Sequence, residues 1–155
     1  MIALRRPASR LPVRLLAAAV AASALSACAY NEALGRNQLL LVDNAALAQQ
    51  SNAAWREAIS KPGVQTSGAQ VDRIRRVGNR LVQAAGLGDR TWDYAVFSEK
   101  SPNAFVLPSG QIGVTDSLLA LVQNDDQLAT VIGHEIGHVV ANHAAERASS
   151  QAATS

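Results

Sequence analysis

His134 and His138 lie four residues apart, with Glu135 beside the first, in a run from Leu128 to Ala145 whose only helix-weakening residues are Gly133 and Gly137. At 3.6 residues per turn, this spacing puts both imidazoles on one face of a single helix, one turn apart. Two neutral imidazole nitrogens can then share a zinc ion at roughly 2.0–2.1 Å. Glu135 falls about 100° round the helix from His134, so it borders the metal without being forced to ligate it. A carboxylate in that place suits a general base acting on water that the metal activates.

The plainer reading is a helix with two structural or surface histidines. Against it, the variable positions of the motif are Ile136 and Gly137, and the flanks are Val131-Ile132 and Val139-Val140. Such a helix is expected to be buried, and buried histidines and a buried glutamate need partners. A metal meets that need.

Other candidates are weaker. On a continuous helix His143 lies about 140° round from His138 and cannot join the same metal, so it reads as structural or surface. Glu146 stands two turns beyond His138, roughly 12 Å along the axis, and is also out of reach. The metzincin pattern would place glycine at 141 and histidine at 144, where this chain has Ala141 and Ala144. No Ser/His/Asp or Cys/His arrangement competes, because the single cysteine, Cys28, has another use.

That use is read from the first residues. Arg5, Arg6, Arg10 and Arg14 precede the eleven-residue apolar stretch Leu15–Leu25, and no acid accompanies them. The stretch suits a signal peptide, since a spanning helix needs roughly twenty apolar residues. Leu25-Ser26-Ala27-Cys28 then resembles the lipobox of bacterial lipoprotein precursors, with cleavage before Cys28 and lipidation of it. A plain secretory signal cut near Ala27, or a short anchor that stays, are the alternatives. Ala29 stands where an inner-membrane sorting aspartate would, which implies an outer-membrane lipoprotein on the periplasmic side. Without the four leader arginines, ten basic residues face twelve acidic ones. No basic run interleaved with aromatics remains, so nucleic acid is not an expected partner.

The elements that must position the motif follow from periodicity. Residues 33–60 read as one long helix or two shorter ones, ending at Lys61-Pro62-Gly63. Ser67–Ala85 carries Val71, Ile74, Val77 and Leu81 on one face, with Arg73, Arg76 and Arg80 on a solvated side. Trp92–Phe97 and Phe105–Val114 read as strands, with a turn at Pro108-Ser109-Gly110. A short helix from Asp116 to Val122 precedes the motif helix, which Asp125 or Asp126 can cap. Helices, then a small antiparallel sheet, then a helix make an α+β fold.

From about Leu40 to Gln151 the chain resembles the HtpX/CAAX-prenyl-protease family of metallopeptidases, especially its periplasmic lipoprotein members. Three segments carry the likeness: Arg75-Arg76-Val77-Gly78, the stretch Ser101-Pro102-Asn103-Ala104-Phe105-Val106-Leu107-Pro108-Ser109-Gly110, and His134 through Ala148. The resemblance implies a zincin-like fold and a zinc-dependent endopeptidase of the gluzincin type. Its expected substrates are misfolded or misassembled envelope proteins. His134 and His138 would be metal ligands and Glu135 the catalytic base. Asn103, Ala104, Phe105 and Val106 would form a substrate-binding edge strand, unless they are simply core sheet. Ser109 departs from the family's first turn glycine. The third ligand in the family is a glutamate on a later helix, which this sequence does not contain before Ser155, and the expectation is a truncated chain. The expected organisation is a lipoprotein signal peptide over 1–27, a lipid-anchored linker over 28–38 and the N-terminal part of the peptidase domain over 39–155. The rival reading is a non-catalytic envelope lipoprotein that binds assembly partners.

Overall fold

The computed structural model describes residues 28–154, so the expected signal peptide over 1–27 lies outside the described residues. Two long helices open the main body. Helix α1 spans Asn44–Ile59, and the Asp43 carboxylate accepts the Ala45 N–H at its start. Helix α2 spans Ala69–Ala84 and buries Val71, Ile74, Val77 and Val82 along one stripe, the face expected from its periodicity. Its arginines are not all simply solvated: Arg73 Nε donates to Asp125 Oδ1 at 2.8 Å.

Strands β3 (Asp93–Phe97), β4 (Ala104–Leu107) and β5 (Gln111–Thr115) form a sheet in the order β3-β5-β4. The β4–β5 hairpin turns at Pro108-Ser109-Gly110 as expected, with Gly110 at φ +101°. The sheet is not purely antiparallel, however, because β5 runs parallel to β3 from Asp93↔Gln111 to Phe97↔Thr115. The physical reason is burial. All five residues of β5 are buried, so this strand takes the centre and β4 is left at the edge. The Asp93 N–H donates to the Gly110 carbonyl at 3.0 Å, which seats the start of β3 beside the turn.

Each face of the sheet has its own cover. Ala104, Val106, Ile112 and Val114 belong to the core shared with α2 and the motif helix. On the other face Phe105 lies across Gly113, where any Cβ would strike its ring, and joins Phe97 and Trp55 of α1 in an aromatic cluster. Helix α3 (Asp116–Leu121) follows β5, capped by the Thr115 hydroxyl. Helices α4 (Asp125–Val140) and α5 (His143–Thr154) complete the described chain. The α+β character expected from element order holds.

Residues 28–43 depart from expectation. In place of a linker running into a helix, β1 (Cys28–Asn31) and β2 (Arg36–Leu39) pair as an antiparallel hairpin. Its polar residues explain the difference. Asn31 and Gln38 are buried, hydrogen-bond to each other at 3.0 Å, and donate to the carbonyls of Val140 and Ala141 at 3.4 and 2.7 Å. Side chains that look like the wet face of a helix instead satisfy the last carbonyls of α4, groups that a helix end leaves without internal partners.

Candidate active site

Helix α4 carries the motif. Its cap is Asn124, whose Oδ1 accepts the Gln127 N–H at 2.9 Å, rather than Asp125 or Asp126. Asp125 turns instead to Arg73, whose guanidinium holds its carboxyl below the usual range. The helix is buried along the stripe Leu128, Ile132 and Ile136 rather than on all sides. That stripe anchors it, and the site face stays open: His134 is exposed, while Glu135 and His138 are half-buried.

His134, Glu135 and His138 each offer a ligand atom, and these atoms lie within 4.8 Å of one another. The Nε2 atoms of His134 and His138 are 3.1 Å apart. Two zinc–nitrogen bonds of roughly 2.0–2.1 Å at a tetrahedral angle need their nitrogens about 3.3–3.4 Å apart. The donor set therefore fits one shared divalent ion with little adjustment. These three are the one such group among the described residues.

A cavity of about 460 Å³ opens beside Glu135 and His138 and is lined also by Leu87, Arg90, Val106 and Pro108. Its apolar side chains, with Arg90 and Arg147 among the lining, could receive a peptide side chain next to the carboxylate. Of the four expected strand residues, Val106 lines this cavity. Ala104 is buried in the core, Phe105 faces the aromatic cluster, and the Asn103 backbone is tied to Thr115 at both its N–H and its carbonyl. Among the described residues β4 pairs only with β5, so its outer edge has no strand partner.

The sequence reading missed how α4 ends. The run from Leu128 to Ala145 is not one helix. Asn142 sits in the left-handed region at φ 54°, and the chain restarts as α5 at His143. This elbow returns His143 to the site, its Nδ1 2.8 Å from Nδ1 of His138. The grounds for calling it remote, a continuous helix, do not hold. It still stands outside the ligand group, since it meets the ring nitrogen of His138 opposite the shared pair. Glu146, also on α5, accepts two bonds from Arg36 at 2.6 and 2.8 Å and one from Gln38 at 2.9 Å. Those donors, Arg36 first, hold its carboxyl down to about 2. One signal was available: asparagine, after glycine, is the residue most often found in the left-handed position that ends a helix.

Comparison with known proteins decides the family. Residues 69–155, from the first residue of α2 onward, match the model of peptidase family M48. The chain belongs to peptidase family M48. It is similar to the metalloprotease YcaL of Escherichia coli, with 31% identity over 138 residues, 83% of this chain and 54% of that protein. It is also similar to the mitochondrial metalloendopeptidase OMA1 of Bos taurus, 33% identical over 122 residues, 74% of this chain and 23% of that one. A third relative is the beta-barrel assembly-enhancing protease of Yersinia pestis, 32% identical over 72 residues, 46% of this chain and 15% of that protein. The chain thus spans about half or less of the length of these relatives. Membership of this metallopeptidase family implies a divalent metal, and the His-Glu-His cluster on α4 is the group that fits one.

Proposed function

We propose that this M48 chain carries the catalytic helix of a zinc-dependent endopeptidase of the bacterial envelope, within the periplasmic lipoprotein branch of the HtpX/CAAX-prenyl-protease group. The carrying observation is the His134–Glu135–His138 cluster, of which Glu135 and His138 line a cavity beside an unpaired strand edge. Zinc held by His134 and His138 would supply the Lewis acidity that peptide hydrolysis needs at neutral pH. The chain's own groups do the rest. The edge of β4 can pair with an extended substrate backbone and lay the scissile bond along α4. The cavity at Leu87, Val106 and Pro108 takes an apolar side chain. The Glu135 carboxylate accepts a proton from the attacking water and delivers it to the leaving amine nitrogen.

An envelope location is favoured by the basic, then apolar, leader before Cys28. Relatives named for beta-barrel assembly favour misassembled envelope proteins as substrates, with assembly factors as partners. In the protein expressed from its complete reading frame, Glu135→Gln should keep its zinc and lose most casein cleavage, because an amide cannot take the proton. Near-normal cleavage by the zinc-loaded variant would remove Glu135 from this role.

A further inference from the structure

The elbow after α4 places a third histidine where neither ligation nor core packing accounts for it. We propose that His143 is a positioning residue for His138. Its Nδ1 accepts the Nδ1–H of His138 and so fixes the tautomer in which Nε2 of His138 keeps its lone pair for the metal. This rests on the reading of His134 and His138 as metal ligands.

Three observations converge on it. The first is the contact itself. Nδ1 of His143 lies 2.8 Å from Nδ1 of His138, while Nε2 of His138 lies 3.1 Å from Nε2 of His134. The two nitrogens of one imidazole point in widely divergent directions. A group bonded at Nδ1 therefore cannot also reach an ion held at Nε2. His143 is placed to orient a ligand and not to be one.

The second is the backbone that delivers it. A helix continued through Asn142 would carry residue 143 about 140° round and 7.5 Å along from His138. Instead Ala141 N–H closes on Gly137 O at 2.9 Å, Asn142 N–H on Val139 O at 3.0 Å, and Asn142 itself turns left-handed. The tilted rings of His138 and His143 are then 5.0 Å apart, centre to centre.

The third is that the elbow is clamped from outside. Gln38 donates to both the Ala141 carbonyl and the Glu146 carboxylate, and Arg36 grips Glu146 with both terminal nitrogens. Glu146 N–H in turn bonds the Asn142 carbonyl at 3.0 Å. The residues before and after His143 are held by the N-terminal hairpin, so the ring meets His138 without being held there by a metal. Metal-binding histidines commonly donate their second N–H to a carboxylate, carbonyl or water, and loss of that partner costs about 10–100-fold in metal affinity. Here the imidazole of His143 fills the place.

The tautomer of His138 is readable directly by long-range nitrogen–proton NMR on the metal-free, histidine-labelled chain at mildly alkaline pH. The expected result is protonation at Nδ1 in the unsubstituted chain. It should be retained in His143→Asn, whose amide oxygen can stand near the place of Nδ1, and lost to a mixture in His143→Leu. Zinc competition against a chromophoric chelator should show His143→Leu about 10–100-fold weaker and His143→Asn within about threefold of the parent. An Nε2-protonated His138 in the unsubstituted chain would overturn the proposal without any variant. Unchanged affinity in a folded His143→Leu would overturn it as well. Unchanged affinity in both His134→Ala and His143→Leu would instead overturn the metal assignment beneath it.

Discussion

Replacing Asn142 by alanine tests whether the left-handed elbow is a demand of the fold. At φ 54° an L-residue with an ordinary side chain brings its Cβ too near its own carbonyl oxygen, at a cost of roughly 1–2 kcal/mol. Asparagine pays less, because its short polar side chain can hydrogen-bond locally, and glycine pays no steric cost. Alanine should therefore destabilise the chain by about 1 kcal/mol relative to asparagine, and glycine should stay within about 0.5 kcal/mol of it. Unfolding entropy of about 2.1 cal/mol/K per residue over about 130 residues converts that loss into a melting shift of about 4 °C. Thermal melts and urea titrations of the metal-free chain read both variants. Alanine as stable as asparagine would show that the backbone does not need this conformation. Glycine as damaging as alanine would show that the asparagine side chain, and not its φ, carries the effect.

Further outcomes follow from other parts of the structure. Gly113→Ala drives a methyl into the Phe105 ring, which Trp55 and Phe97 hold in place, so denaturant titration should show a loss of about 1–3 kcal/mol. The Glu146 carboxyl is depressed to about 2 from an ordinary 4.5, so its ion pair with Arg36 stabilises the fold fully above the ordinary value and is lost as pH falls through about 2. The stability gap between the parent and Arg36→Gln should accordingly be widest near neutrality and close across that window, as read by urea midpoints at a series of pH values. Mass spectrometry of the protein extracted from membranes should find residues 1–27 absent and Cys28 carrying lipid. An unmodified thiol on a freely soluble product would refute the anchor.

What the sequence made legible was what depends on near neighbours. The His134/His138 spacing, the apolar stripe of α2 and the Pro108-Ser109-Gly110 turn each rest on residues a few positions apart, and each stands where expected. What stayed hidden depends on distant partners. Asn31 and Gln38 look like solvated residues until the end of α4, more than a hundred positions on, supplies the carbonyls that bury them. The central place of β5 follows from cover on both its faces, Ile112 and Val114 in the core with α2 and α4 and Gly113 under the Phe105 ring, which no local pattern records. His143 was set aside because periodicity assumes an unbroken helix, and one left-handed residue suffices to break that assumption.

The bonds that seal the elbow bridge 103 to 110 residues of chain. Contacts between such distant segments close late in folding, since the entropy of closing the loop must be spent before they return anything. During synthesis, therefore, the hairpin emerges first and must wait for almost the whole described chain before it meets Ala141 and Glu146. Until then the C-terminal side of the second histidine of the motif is held only by the local bonds of Ala141 and Asn142 to Gly137 and Val139. A His-Glu-His site built in this order is completed only after the strands and helices that precede it have been made.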